Sequence, residues 1–194
     1  MLVVTPDLEG VDSAAIASDI VALAAGRVEL LEQSWSRFRP TSELNHLNAS
    51  AGSGPVRVSP DLLLLVDRMQ QAWAQSEGRF DPTVLSSMLA LGYDADFATV
   101  AARPASIAEV PSTPAPGMSA VQVDHADGTV GLPAGVGIDP GAIGKGLAAD
   151  IIVAELMAAG AAGVLVNLGG DLAFAGTTAD GSPWTIGVED ERVP

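Results

Sequence analysis

This sequence predicts an α+β fold, and three observations point to it. Strand-like runs of Val and Leu and longer helix-like stretches both occur, without the strict alternation that parallel βαβ units require. Asp127-Gly128 between Val121–Val123 and Thr129–Leu132 is a hairpin signal, which favours antiparallel pairing. With 194 residues, 48% of them hydrophobic, the chain can bury a proper core, and it is read as a single domain over residues 1–194.

Leu2–Thr5 reads as a strand. Asp12 or Ser13 can cap a helix running to about Trp35, with Ile16, Ile20, Leu23, Leu30 and Leu31 on its apolar face. Pro40 stops that helix, and Ser42 caps a short one ending near Asn48. Val56–Val58 is a brief strand. Ser59-Pro60-Asp61 supplies a cap, a first-position proline and a first-turn acid for a helix carrying Leu62–Val66, Met69 and Trp73, which stops at Gly78. Phe80-Asp81-Pro82-Thr83-Val84 is a turn before a short helix to about Leu91. The stretch from Arg103 to Gly117 holds four prolines and reads as loop. A helix follows from Lys145 to about Ala159. Val164–Leu168, Leu172–Ala175 and Trp184–Val188 read as strands, with Gly169-Gly170-Asp171 as a tight turn.

The segment Asp139-Pro140-Gly141-Ala142-Ile143-Gly144-Lys145-Gly146 carries the strongest chemical signal. Helix N-termini present unpaired N–H groups and partial positive charge, and glycines let a phosphate approach the backbone. A lysine at a helix start faces the positive helix end, an unfavourable place unless an anion joins it. The segment therefore reads as a phosphate or pyrophosphate site. It is not a Walker A loop, because Asp139 stands where that motif has its first glycine and Gly146 where it has Ser or Thr. Gly-x-Gly-x-x-Gly is absent as well. Taken alone, Phe80-Asp81-Pro82-Thr83 is an Asx turn and Phe38 a core residue. His46 and His125 lack a metal-binding spacing.

Composition excludes several classes. The net charge of −15 repels nucleic acid and anionic membranes. With no Cys there is no disulfide, thiolate chemistry or cysteine-ligated zinc, and no lipid-attachment cysteine. No signal peptide or membrane span is read, so a cytoplasmic location is expected, with a processed extracytoplasmic form as the alternative.

Four segments occur in a telling order. They are Ser36-Arg37-Phe38-Arg39-Pro40 with Ser42-Glu43-Leu44 through Leu47-Asn48, Gly78-Arg79-Phe80-Asp81-Pro82-Thr83-Val84, the Asp139–Asp150 segment, and Val166-Asn167-Leu168-Gly169-Gly170-Asp171. Together they closely resemble the ApbE family of FAD-dependent protein flavin transferases. The resemblance runs from about Leu2 to Asp190. It implies a T-fold-like α+β architecture, with a mixed or antiparallel sheet, packed helices and FAD in a central cleft. It also implies Mg²⁺-dependent cleavage of the FAD pyrophosphate, with FMN joined through its phosphate to a Thr or Ser hydroxyl of a target protein.

By resemblance, Asp139 and Lys145 contact FAD, Arg79, Phe80 and Asp81 form a flavin-nucleotide contact segment, and Phe38 stacks on the cofactor. Ala142 gives a carbonyl to the metal. No catalytic residue is named. The family's further region, with a histidine and an acidic–alanine–threonine helix that supply side-chain metal ligands, has no counterpart after Glu189-Asp190-Glu191. The domain is thus expected to be C-terminally incomplete relative to the family. A FAD-binding module or FAD pyrophosphatase without transfer is the alternative function. The expected partners are FAD, an acceptor protein, and a second copy or partner chain that completes the sheet.

Overall fold

A computed structural model describes residues 2–4, 13–103 and 114–187. In chain order the elements are β1 (Leu2–Val4), α1 (Ser13–Trp35), α2 (Glu43–Ala49), β2 (Val56–Arg57), α3 (Pro60–Gln75), α4 (Leu85–Ala90), α5 (Phe97–Ala101), β3 (Gln122–Asp124), β4 (Thr129–Gly131), α6 (Gly144–Ala158), β5 (Gly163–Leu168) and β6 (Asp171–Gly176). Single 3₁₀ turns occupy Pro82–Val84 and Met118–Ala120. Helices and two antiparallel three-stranded sheets make this an α+β fold, as expected. The chain divides into two compact units, one of Met1–Val28 with Lys145–Pro194, the other of Glu29–Gly144.

In the unit of residues 29–144 the sheet order is β2-β4-β3. Val130 pairs with both Val56 and Val123, so the hairpin expected around Asp127-Gly128 forms in that register. Ser42 and Ser59 accept from the N–H groups of Asn45 and Leu62, capping α2 and α3 as their sequences predict. The core consists of Leu44 and Leu47 from α2, Leu62, Leu65, Val66 and Met69 from α3, and Met118, Val130 and Ile138. The spacing of the α3 residues at three and four is the period of one helical face.

The other unit has the sheet order β1-β5-β6. Ala148, Ala149, Ile152, Val153 and Leu156 are the buried residues of α6, and Val164, Val166 and Ala173 those of its sheet. Arg27 of α1 donates through Nε to both carboxylate oxygens of Glu155 on α6, at 3.0 and 3.1 Å. Gly163 pairs with Gly176 at one end of the β5–β6 ladder. There the two strands run so close that a Cβ on either glycine would collide with a carbonyl, that of Thr177 or of Ala162.

Four expectations need correction. On α1 the buried apolar positions are Ile20 and Leu31, as expected, with Ala24 and Trp35, while Leu23 and Leu30 are 61% and 56% exposed. Four-residue steps kept the stripe on one face, and the two leucines fall off it. Among the described residues Trp184–Gly187 pair with no strand. Pro183 precedes them, and the Trp184 indole N–H donates to the Ala175 carbonyl instead. Helix α5 was not anticipated, although Asp96 caps it by accepting from Thr99 N–H. Among the described residues the strands form two small sheets rather than one. Thr5, Val188 and most of the proline-rich loop lie outside the described residues.

Candidate functional site

The unit of residues 29–144 is organised around the loop that follows α1. Asn45 on α2 donates from its side-chain amide to the carbonyls of Arg37 and Arg39, at 3.0 and 2.8 Å, and so fixes that loop. Glu43 accepts from the Ser34 hydroxyl and from the backbone N–H and hydroxyl of Ser59, tying the end of α1 to the start of α3. Asn48 acts as a surrogate strand: it donates to the Ile138 carbonyl at 3.0 Å and accepts from the Ile138 N–H at 2.9 Å. One turn-and-a-half of helix thus grips both the 36–39 loop and the chain entering Asp139.

Within that frame the Arg37 guanidinium lies against the rings of Phe38 and Tyr93, 4.2 and 4.3 Å from their centroids, and the two rings meet edge to face at 6.0 Å. Its Nε lies 3.1 Å from Asp139 Oδ2, both side chains being less than 10% exposed. Nη1 donates to the Tyr93 carbonyl at 2.7 Å, and Nη2 is buried with no hydrogen-bond partner among the described residues. The other oxygen of Asp139 accepts from Gly141 N–H at 2.8 Å, and its backbone N–H donates to the Pro82 carbonyl at 2.8 Å. Asp139 therefore joins the Arg37-Phe38 and Asp81-Pro82 segments in one place.

The sequence-predicted residues of this unit differ in environment. Phe38 remains 42% exposed, with Arg37 against one face of its ring. Asp81 caps the 3₁₀ turn, accepting from the Thr83 N–H and hydroxyl, which is the Asx turn expected of the segment read alone. Phe80 is half-buried. Arg79 is 84% exposed, and its ion pair with Glu77, at 3.8 Å, is equally exposed. Ala142 is exposed in the turn where the Pro140 carbonyl accepts from Ile143 and Gly144 N–H, at 2.9 and 2.7 Å. An open cavity of about 350 Å³ lies beside Asn48 and Gly137, lined by Ala51, Leu85, Leu89 and Val136, and holds none of the predicted residues.

Lys145 belongs to the other unit, in the first turn of α6, where no acidic residue stands. Its ammonium lies 3.0 Å from Asp171 and 3.4 Å from the Gly169 carbonyl, with Lys145 and Asp171 each about half exposed. Gly169 and Gly170 have φ of +65° and +102°, the left-handed values a two-residue hairpin turn demands, and Asn167 accepts from Gly170 N–H. The Gly-Gly-Asp turn thus delivers a carboxylate to the lysine, an ion pair weak enough for an anion to displace.

Two further electrostatic features border the 36–39 loop. The Arg39 guanidinium binds both oxygens of Glu29, at 2.6 and 2.9 Å, and with Gln33 holds that carboxyl down at about 2. Arg103 likewise holds the Asp94 carboxyl, one residue past Tyr93, below the usual carboxylate range. Among the described residues no three His, Asp or Glu side chains gather as a metal site. The carbonyl of Ala142 has no side-chain oxygen free beside it from Asp139, whose carboxylate is engaged by Arg37 and Gly141. The residues described here do not by themselves fit a Mg²⁺ ion, which demands six oxygen ligands in near-octahedral array.

Sequence reasoning missed Arg37, Asn45, Asn48 and Tyr93. Arg37, Asn45 and Asn48 stand in the first of the four motifs, but none of them was singled out. The signal available was the crowding of polar residues that can bind backbone in one short stretch.

Comparison with known proteins follows the same lines. The model of the ApbE family matches residues 5–194. The FAD:protein FMN transferase of Rhodobacter capsulatus is 30% identical over 175 residues, covering 90% of this chain and 33% of that protein. The protein of the same name from Treponema pallidum is 31% identical, covering 82% of this chain and 47% of its own length. Among solved structures, the apo flavinyl transferase ApbE of Pseudomonas stutzeri aligns with a TM-score of 0.74 at 24% identity, over 91% of this chain and 55% of that one. The Thermotoga maritima ApbE protein aligns with a TM-score of 0.75 at 23% identity, over 96% and 59%. The chain spans between a third and a half of the length of the curated relatives it matches.

Proposed function

The chain belongs to the ApbE family, and from that premise we propose that it binds FAD and serves the transfer of FMN to a Thr or Ser hydroxyl of an acceptor protein. The observation that carries the reading is the meeting of three separated motifs at Asp139: its own segment, whose turn it holds through the Gly141 N–H, is joined by Arg37-Phe38 through the ion pair and by Asp81-Pro82 through the Pro82 carbonyl. The proposed FAD contacts in that unit are Phe38, Arg79, Phe80, Asp81 and Asp139. In the other unit Lys145 is proposed to take the phosphates, exchanging Asp171 for them.

The roles follow from chemistry. The exposed part of the Phe38 ring offers an apolar surface to a planar heterocycle. Lys145 and the first-turn N–H groups of α6 neutralise pyrophosphate charge. In the transfer, the acceptor oxygen bonds to the FMN phosphorus, the pyrophosphate P–O bond breaks, AMP leaves with the bridging oxygen, and the hydroxyl loses its proton. Catalysis of such a step rests on placement and charge neutralisation. Mg²⁺, the ion the resemblance implies, would contribute that neutralisation. The described residues do not by themselves supply its ligand set.

A second reading, FAD binding without transfer, is favoured by the state of Asp139. The carboxylate nearest Ala142 in sequence is consumed by Arg37 and Gly141. One experiment separates the two. The purified chain is incubated with FAD, Mg²⁺ and a Thr-containing acceptor, and AMP release and acceptor mass are followed. FMN-modified acceptor supports transfer; bound FAD without AMP supports the second reading; no FAD binding at all sinks both.

A further inference from the structure

We propose that Arg37 is a positioning residue that sets the Phe38 ring and the Asp139–Gly141 turn in place together. This rests on the FAD-binding reading above and adds to it the side chain on which that part of the binding surface depends.

The reasons lie in the geometry. A guanidinium is a rigid plane with five donors, so its hydrogen bonds and its stacking faces are fixed relative to one another. The Arg37 guanidinium carbon lies 4.2 and 4.3 Å from the ring centroids of Phe38 and Tyr93, which meet each other edge to face at 6.0 Å, while Nε reaches Asp139 and Nη1 reaches the Tyr93 carbonyl. Turning the plane to improve any one contact would spoil the others. Phe38 is therefore held with its partly exposed ring beside a buried cation. Asp139, fixed through Oδ2, has Oδ1 left to hold the Gly141 N–H and so the turn leading to Ala142.

Burial makes the device rigid. Arg37 and Asp139 are 5% and 7% exposed, so neither charge can fall back on water if the pair breaks. The unpartnered Nη2 marks a charge placed for the shape it enforces rather than for full hydrogen bonding. Lysine cannot replace it, having neither the plane nor the fork.

The test is FAD titration of the 194-residue chain, followed by flavin fluorescence, for Arg37→Lys, Asp139→Asn and the double variant. Each is measured at a temperature where near-UV circular dichroism shows it folded. Arg37→Lys is expected to weaken FAD binding by ~10-fold or more, and the double variant by no more than ~2-fold beyond the weaker-binding single, because both act through one contact. Unchanged affinity in Arg37→Lys, or single effects that multiply in the double variant, would overturn the proposal. If the parent chain itself binds no FAD, the FAD-binding reading fails, and Arg37 is judged by amide exchange. Gly141 N–H should then exchange ~10-fold faster in Arg37→Lys, with Val130 in β4 unchanged as the gauge of global stability. Equal Gly141 exchange would refute the positioning role.

Discussion

Lys145 and Glu29 show how differently two exposed charges are placed. Lys145 sits at the positive end of α6 and is balanced by Asp171, an ion pair too exposed to hold the fold. Lys145→Ala should leave the melting temperature nearly unchanged while weakening FAD binding by about 1.5–3 kcal/mol, the worth of a charge-assisted phosphate contact. Calorimetry of both proteins decides it, and equal FAD affinity removes Lys145 from the binding surface. Glu29 instead braces the loop that carries Phe38. Its carboxyl is held at about 2, below its ordinary 4.5, by the Arg39 guanidinium first and Gln33 second. A carboxyl with a lowered folded value stabilises above its unfolded value and loses that contribution as pH falls through the folded one. The Glu29–Arg39 pair should therefore persist from neutral pH down to about 2. A carbon-detected NMR titration should place Glu29 there, and Arg39→Ala should return it toward its ordinary range. A Glu29 midpoint near 4.5 in the parent protein would show that the pair does not form in solution.

Among the elements, the β5–β6 hairpin depends most on a detail of sequence. Gly163 faces Gly176 across the ladder, and a Cβ at either position would strike a backbone carbonyl, which has nowhere to move without breaking the pairing. Gly163→Ala should destabilise the protein by about 1–3 kcal/mol, the usual cost of overpacking. Thermal unfolding measures it, and a melting temperature within error of the parent would mean that the strand ends separate freely. Helix α2 makes the complementary point. Ser42, Glu43, Asn45 and Asn48 read in sequence as a capped short helix, and all four bind backbone or cap groups that shape the loops around Arg37 and Asp139. Its polar residues hold the site's frame, and none of them needs to touch a ligand.

For the whole molecule, charge is the governing quantity. At −15 the protein repels polyanions, so anion binding must be local, at Lys145 or at backbone N–H groups. The chain is expected to leave a DNA duplex unshifted in a gel at physiological salt, where FAD still binds. Retention of the duplex would mean that local positive potential outweighs the net charge. Membrane crossing by a helix is also absent: no helix among the described residues is long and apolar enough.

The sequence by itself determined the helices other than α5, the caps of α2 and α3, the hairpin around Asp127-Gly128 and the family. Each of these is written in neighbouring residues, as periodicity, as a Ser or Asp before a first turn, or as a motif in order. Tertiary structure alone decided that α1 buries Ala24 while Leu23 stays exposed and, among the described residues, that Trp184–Gly187 pair with no strand and that the strands form two sheets. It also decided the fate of Asp139. Read along the chain, that residue is a carboxylate beside a glycine loop, with a capping role and a ligand contact both open to it. Its partner Arg37 lies about a hundred residues earlier, and no local pattern announces a pairing between side chains so far apart in sequence. Long-range pairs are fixed by which elements pack together, and packing depends on the shapes of whole faces, which a one-dimensional pattern does not record.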